Sequence, residues 1–490
     1  MNRYIQYMYS YPHKTAYRFL ENVNLRDYFF NLEGEGHSLY LHLPFCESKC
    51  GYCNLFSVTG CGRNRINGYL DAVLRQIKQY GEMLPQSTSF EEFTIGGGTP
   101  LLLESEQIAC IFKAVGGNLP MGSGCKVTIE TAPNQTDQEK TGLLKRLGVT
   151  RVSMGIQSFD DGELRWLGRN HDSGRAKTAA EILTKTGFEC VNFDFIYGLP
   201  EQTADSLTAS LRMALSFAPD EIFLYPLYIK HGVRLEREGR KSELDSDHAY
   251  ALYQCGAAYL RENGYTQISM RRFVRWRSGS ALLTEKFPAD MFLTDRNLTE
   301  KYQADVFLTD KNLAEKFPVD AFLADKSLTE KFPESGQPVF SECGLKSALS
   351  LGCGGRSYLG RLHFCTPYRT TRDAAMKEIE QYRRTVDFSS VSNGILLSDD
   401  ELKRRYVIRH LLILPGISKQ AYQRAFHADV LEDFPIIRDW IGRGWLEENC
   451  HDAGYIGLTQ EGLGLSDYIG PQLISERIRE RMLEWEQENA

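Results

Sequence analysis

Between residues 38 and 230 the chain alternates short apolar runs with helical patterns, and this alternation limits its fold more than any other feature. The runs are SLYLHL (38–43), EFTI (92–95), KVTIE (126–130), RVSMGI (151–156), VNFDFIY (191–197) and EIFLYPLYI (221–229). They are short and rich in β-branched or aromatic residues, as buried parallel strands are. The stretch 136–148 predicts a helix: Thr136 and Glu139 stand in a capping-box relation, Leu143, Leu144 and Leu147 share a stripe, and Gly148 sits where a helix stops. Further helices are expected over 173–187 and 203–219. Strands that alternate with helices imply parallel pairing, because parallel neighbours need crossover connections. The expected architecture is α/β, a partial TIM-like (β/α)6 barrel, with an open doubly wound sheet as the alternative.

A chain of 490 residues is longer than one ordinary domain. We divide it into an N-terminal extension (1–37), the barrel (38–230), a barrel extension (231–282), a tandem repeat (283–333), a return to the core with a linker (334–398) and a small C-terminal domain (399–490). The repeat has a period of 15, with units LTEKFPADMFLTDRN, LTEKYQADVFLTDKN and LAEKFPVDAFLADKS. That period is shorter than the roughly 20–50 residues of solenoid repeats. Pro288 and Pro318 interrupt any long helix, so a duplicated surface insertion is the expected reading, with a small interaction arm as the alternative. In the tail, ELKRRYVIRHLLI, ISKQAYQRAF and DFPIIRDWIGRGWL are amphipathic, and a β-rich end follows. This order predicts a winged-helix-like α+β domain.

Charge narrows the function. A net charge of -7 argues against a broad electrostatic footprint for nucleic acid, so no nucleic-acid partner is expected. No apolar run reaches the roughly 18 residues of a membrane helix. The start, MNRYIQYMYSYPHKTAYRFL, has no apolar h-region, and the expected location is the cytoplasm. Twelve cysteines is modest usage, and in such a setting clustered cysteines bind metal or do chemistry.

Three of them are clustered: Cys46-Glu-Ser-Lys-Cys50-Gly-Tyr-Cys53 closely follows the first strand and Pro44. Three thiolates this close converge from a loop, since a strand would send Cys50 and Cys53 to opposite faces. A cubane [4Fe–4S] cluster usually takes four Cys ligands, so three leave one iron open to a reactant. A zinc site would need a fourth ligand, for which Cys61 and His42 are at hand, neither at a usual finger spacing.

C-x3-C-x2-C after a barrel's first strand resembles the signature of radical S-adenosylmethionine (SAM) proteins. YLHLPFCESKCGYC resembles the branch of oxygen-independent coproporphyrinogen III oxidases and HemW-type heme chaperones. The resemblance runs from about Tyr40 to Tyr228 and returns weakly in LGCGGRSY (351–358) and LTQEGLGLSDYI (458–469). It implies that Cys46, Cys50 and Cys53 hold a [4Fe–4S] cluster and act as the catalytic centre. It implies further that Tyr40 and Tyr52 lie against SAM and cluster, and that Gly97, Gly98 and Thr99 of the GGGTP segment receive the methionine amine. Glu130, Gln157, Arg169 and Asp194 match positions that hold SAM's carboxylate, ribose and adenine edges. Polar residues inside apolar strands are costly unless paired, and barrel sites form at C-terminal strand ends, so the residues themselves agree.

The resemblance implies an oxidoreductase-like enzyme. A flavodoxin- or ferredoxin-like donor would supply an electron, SAM would be cleaved to a 5′-deoxyadenosyl radical, and the radical would act on a small-molecule substrate. A tetrapyrrole of porphyrin biosynthesis is the branch-level expectation for that substrate. The alternatives are a heme-binding chaperone with little turnover and a methyltransferase that uses two SAM molecules. The chain departs from both named activities. Leu55 stands where the oxidases carry a fourth cysteine and the chaperones an aromatic residue, and no HNxxYW-like stretch follows YTQISMRRFVRW. The N-terminal YPHKTAYR (11–18) resembles a distinct subgroup of the branch, which implies a distinct substrate. Cys343, Cys353 and Cys365 are irregularly spaced and read as ordinary cysteines rather than a second cluster. His171 reads as a turn stabiliser, and Trp166 and Trp276 as core.

Overall fold

The computed structural model describes residues 2–275 and 347–489, apart from 9, 231, 241–244, 370 and 450–453. The 15-residue repeats, Trp276 and Cys343 lie outside the described residues.

Six strands run parallel in sequence order: His37–Leu43, Phe90–Gly97, Met121–Thr131, Arg151–Gln157, Cys190–Tyr197 and Glu221–Pro226. A doubly wound sheet would reverse its order at a switch point. Unbroken order is the winding of a barrel, so the sheet is a partial TIM-like barrel. It does not close. Ala348–Leu351 joins His37–Leu43 in parallel, and Arg272–Arg275 joins Glu221–Pro226 antiparallel. Antiparallel strands extend both ends into one sheet of 13 strands. Burial explains the sequence runs: Leu39, Leu41, Leu43, Phe93, Ile95, Val127, Ile129, Val152, Met154, Phe193 and Phe195 are all buried in one core.

Local chemistry shifted several expected boundaries. The helix expected over 136–148 runs Gln138–Arg146, and its N-cap is Asp137, whose carboxylate accepts from the Lys140 N–H at 2.8 Å. Thr136 is buried instead, with its hydroxyl donating to the Ala132 carbonyl at 3.0 Å, while Glu139 accepts from Ser105. The Thr136–Glu139 capping box therefore does not form, because a neighbouring carboxylate is the better cap. Gly148 does end this segment, with φ of 80°. Ser173–Thr186 is a helix as expected, and Ala204–Ser216 is capped by Thr203 and Ser206. The sixth strand stops at Pro226, which cannot donate to the ladder.

The barrel's N-terminal rim is locked by charge. Glu221 accepts from Arg151 at 2.7 Å and from Arg272, and all three are nearly buried. Burial alone would push this carboxyl up, but the two guanidiniums hold it down to about 2.

The C-terminal region is α+β. Helices Asp399–Leu411, Lys419–Phe426 and Ile436–Gly442 pack on a three-stranded sheet of Ile417–Ser418, Tyr455–Leu458 and Leu446–Asn449. Its core also takes Met8, Tyr11, Ala16 and Tyr17 from the N-terminus. The first strand, Arg18–Asn24, pairs antiparallel with Ser390–Leu396 at the sheet edge. Among the described residues no helix is long and apolar enough to cross a membrane.

Candidate active site

The three clustered cysteines sit on a loop after the first barrel strand. Phe45–Cys46 forms a short strand beside Val58–Thr59, and the chain between them carries Cys50 and Cys53. The Cys53 N–H donates to the Cys50 carbonyl at 3.3 Å, which curls the loop inward. The Gly51 N–H donates to the Leu167 carbonyl at 2.9 Å and docks the loop on the far side of the barrel.

The glycine segment is fastened to this loop. The Gly98 N–H donates to the Leu43 carbonyl and the Thr99 N–H to the Phe45 carbonyl, both at 2.8 Å. The Thr99 hydroxyl reaches Cys46 Sγ at 3.8 Å. A Cβ on Gly98 would lie 2.9 Å from that sulfur and 2.4 Å from the Phe45 carbonyl oxygen. Gly97 has φ of 123°, and its N–H donates to Glu130 Oε2 at 3.1 Å. Only glycine fits both constraints at Gly97, the left-handed backbone and the close approach.

Polar strand ends complete the patch. Arg169 donates to Cys50 Sγ at 3.0 Å and to the Gly155 carbonyl at 2.6 Å. Asp194 accepts from Asn192 at 2.7 Å and from Ser153 at 3.2 Å. Burial pushes Asp194 up to about 6 and Glu130 up to about 7, and for Glu130 the Asp194 charge adds to the push. Gln157 lies at a β-bulge with φ of 76°, rare for a residue with a side chain. Tyr52 packs with Trp166 against Leu167, Ile196, Leu199 and Leu227, beside Arg169 and Asp194. Tyr40 hydrogen-bonds His42 Nδ1 at 3.1 Å, and its ring lies against Gly355 of the LGCGG segment.

The structure brings these side chains near one another around the cysteine loop and the GGGTP segment, with Tyr40 and Asp194 inside the strands His37–Leu43 and Cys190–Tyr197 and Tyr52 and Arg169 on loops. It also adds residues that sequence reasoning passed over. Asn192 and Ser153 brace Asp194, and a polar residue alternating with Asp194 inside an apolar run was the available signal. His42 lies under Gly97, and burial holds it neutral, down to about 4. Both of its nitrogens are engaged, by Tyr40 and by the Phe56 carbonyl at 2.8 Å, which removes it as a zinc ligand. Cys353 is buried against the Thr366 hydroxyl, and His171 bonds the Ile156 carbonyl at 3.2 Å.

The residues fit a thiolate-held cluster. Burial pushes Cys46 up to about 11 and Cys53 upward as well, so these two thiols stay protonated when bare. Thiolates form in such a place when a metal takes their charge, and Arg169 adds a positive charge beside Cys50. Among the described residues no three His, Cys, Asp or Glu side chains converge on a point for a metal ion. The buried Asn192 Oδ1 and Arg169 Nε have no protein partner, which leaves polar atoms for a second ligand.

Comparison with known proteins agrees with this geometry. Residues 40–214 match the Radical SAM superfamily. The heme chaperone HemW of Mycobacterium tuberculosis is 32% identical over 249 residues, covering 50% of this chain and 64% of that protein. An oxygen-independent coproporphyrinogen III oxidase of Paracoccus denitrificans is 27% identical over 281 residues, covering 56% of this chain and 61% of that protein. The chain thus spans less than two thirds of the length of these relatives. The solved structure of coproporphyrinogen III oxidase (HemN) from Escherichia coli superposes with a TM-score of 0.69 at 20% identity, covering 95% of this chain and 96% of that one.

Proposed function

We propose, from the radical SAM domain that residues 40–214 constitute, that this chain is an enzyme that uses SAM to attack a small-molecule substrate at the barrel mouth. A radical SAM domain implies a [4Fe–4S] cluster and SAM, and together these supply one-electron reductive cleavage of a sulfonium. The observation that carries the reading is the seating of the Cys46–Cys53 loop on the Gly98–Thr99 backbone, with Arg169 on the Cys50 sulfur.

In this reading Cys46, Cys50 and Cys53 are the cluster ligands. Arg169 and Thr99 hold Cys50 and Cys46 in place through their sulfurs. Gly97, Gly98 and Glu130 form the cradle for the methionine end of SAM: the glycines admit it closely and the carboxylate faces its ammonium. Asp194, fixed by Asn192 and Ser153, is placed for ribose hydroxyls. Gln157, held at a strained bulge, is placed for the adenine edge, with Tyr40 and Tyr52 as the aromatic walls. The buried strand ends exclude water from the reacting centre.

A second reading is a heme-binding chaperone with little turnover, and Leu55 favours it, since the fourth cysteine of the oxidases is absent. The test is product analysis on the anaerobically reconstituted full chain. The enzyme reading expects 5′-deoxyadenosine that grows with time and vanishes in the triple Cys→Ala variant. Bound heme without turnover favours the chaperone, and S-adenosylhomocysteine among the products reveals a methyltransferase. Cleavage that persists without the three cysteines rejects the scheme.

A further inference from the structure

Reductive cleavage of SAM takes in one electron: the C5′–S bond breaks, methionine leaves as a neutral thioether, and the other fragment is the 5′-deoxyadenosyl radical. That electron comes from outside the chain, so a donor has to come close to the cysteine loop. One flank of the loop is the short sheet that carries it. Phe45–Cys46 pairs with Val58–Thr59, and Thr59 stands opposite Cys46, one strand spacing of about 4.8 Å away. Arg372 donates to the Thr59 carbonyl at 3.3 Å, and Gly60 and Gly62 beyond it are exposed. Two helices begin at this edge, Arg63–Met83 and Arg372–Arg384. They pack side by side, with Arg383 against Gly68 and Arg75 donating to the Arg383 carbonyl at 2.7 Å.

The outer face of this helix pair is basic, although the chain carries a net charge of -7. Arg65 lines two adjoining grooves, one with Lys377, Glu380 and Arg384, the other with Arg63 and Arg383. With Arg372 that makes six cations, against two carboxylates, Asp373 and Glu380. Two further acids have cations of their own: Glu378 pairs with Arg369 at 2.8 Å, and half-buried Asp71 faces Arg75 before Arg383. Arg63, Lys377 and Arg384 are exposed and form no ion pair among the described residues. The helix Arg63–Met83 also opens without an acidic residue in its first turn, at the end where the helix dipole disfavours cations. Helix stability therefore does not account for Arg63 and Arg65. The aromatic rings of both helices, Tyr69, Tyr80 and Tyr382, are buried.

We infer that this face docks an acidic one-electron donor protein and brings it to the Cys46 side of the loop. The inference rests on the proposed enzyme reading and adds the class of its partner. Two other polyanions have to be weighed. A single-stranded nucleic acid is held by rings on which its bases stack, and these two helices keep their rings inside. An anionic membrane would gain nothing from Cys46 one strand away. A donor gains most from that position, because the edge it touches is hydrogen-bonded to the backbone of a cluster ligand. Electron-transfer encounters are small and transient, and opposite charge steers them. Cations left out of internal ion pairs keep their charge for such a partner.

The test measures 5′-deoxyadenosine release by the anaerobically reconstituted full chain with two reductants. One is reduced flavodoxin, an acidic protein, and the other is reduced methyl viologen, a small cation. Raising salt from about 0.05 M to about 0.3 M should depress the flavodoxin-driven rate alone, since salt screens surface charge. Arg63→Glu, Lys377→Glu and Arg384→Glu combined should lower flavodoxin-driven kcat/KM by about 10-fold or more and leave the viologen-driven rate unchanged. Arg146→Glu, Arg212→Glu and Arg424→Glu, exposed and on other helices, change net charge equally and should leave both rates unchanged. Arg63→Lys, Lys377→Arg and Arg384→Lys should keep wild-type rates. Flavodoxin binding, titrated by calorimetry, should weaken in the same variant, which keeps docking measurable even without SAM cleavage. No flavodoxin binding by wild type, salt-independent binding and rate, or equal losses in the two charge-reversed variants overturns the inference. So does a face reversal that spares flavodoxin and abolishes binding to phosphatidylserine vesicles or to single-stranded DNA. Viologen-driven SAM cleavage by wild type tests the enzyme reading separately: its failure condemns that reading, whereas a loss confined to flavodoxin does not.

Discussion

Gly98→Ala tests the geometry of the site with one added methyl group. An ideal Cβ there lies 2.4 Å from the Phe45 carbonyl oxygen and 2.9 Å from Cys46 Sγ, where ordinary contact begins at 3.4 Å. The Cys46 loop must therefore retreat by about 1 Å, and the obstacle is backbone, which cannot rotate aside. Displacement of about 1 Å at a reacting centre costs on the order of 100-fold in rate, or roughly 2.7 kcal/mol. Overpacking should also lower stability by about 1–3 kcal/mol. Gly116→Ala is the matched control. It adds the same methyl to the helix Ser105–Asn118 with nothing within 4 Å, and a gain of about 0.5–1 kcal/mol is expected. The assay is 5′-deoxyadenosine release under reductant, normalised to iron and sulfide, with thermal melting of both variants. A Gly98→Ala protein with wild-type rate and wild-type melting would refute the claim that this glycine sets the loop's position.

Other perturbations follow from single contacts. Arg169→Met removes a positive charge from Cys50 Sγ and leaves the Gly155 carbonyl without its guanidinium donor, so the cluster should become harder to reduce; redox titration shows this as a more negative potential. In the cluster-free chain, Glu130 is pushed up to about 7 from 4.5, so the folded state binds the proton more tightly than the unfolded state. Its stabilisation is complete below the unfolded value and fades as pH rises through about 7; Glu130→Gln should remove up to about 3 kcal/mol of that slope between those limits, read from denaturant midpoints across pH. Asp467→Asn removes the negative charge that pairs with buried Arg271 and that also accepts from the Tyr228 hydroxyl, contacts that join the barrel to the C-terminal region. A cost of about 3–5 kcal/mol is expected, with calorimetry showing the C-terminal region melting ahead of the barrel.

What the sequence revealed and what it concealed differ in range. The parallel strands were legible because their apolar residues are buried in one core and so read as apolar runs, and Gly148 and Gly187 marked helix ends because their positive φ demands glycine. Asp194, Glu130 and Gln157 stood out as polar interruptions of such runs. The Thr136 cap misled because local sequence does not tell which of two adjacent polar residues the core will claim, and Thr136 went inside. The contact of Tyr368 with the Asn54 carbonyl was illegible, since it arises only through the pairing of Ala348–Leu351 with His37–Leu43, some 300 positions apart in the chain.

That pairing also bears on substrate choice. The parallel core supplies what any cluster-and-SAM site requires, and its residues come from a continuous stretch. The pieces laid over it have separate origins: the N-terminal strap 10–18 with Lys14, the strand with Arg356 and the last helix, Glu476–Asn489, with Trp485, whose ring lies 5.2 Å from that of Tyr368. Lys14 and Trp485 meet at Tyr368, whose hydroxyl donates to Asn54, at the step just after Cys53 where Leu55 stands 46% exposed. A site divided in this way can keep its chemistry fixed by the barrel while its selectivity changes with the covering segments. A chain with the cysteine loop intact but a different strap is therefore expected to keep 5′-deoxyadenosine release while its substrate preference changes.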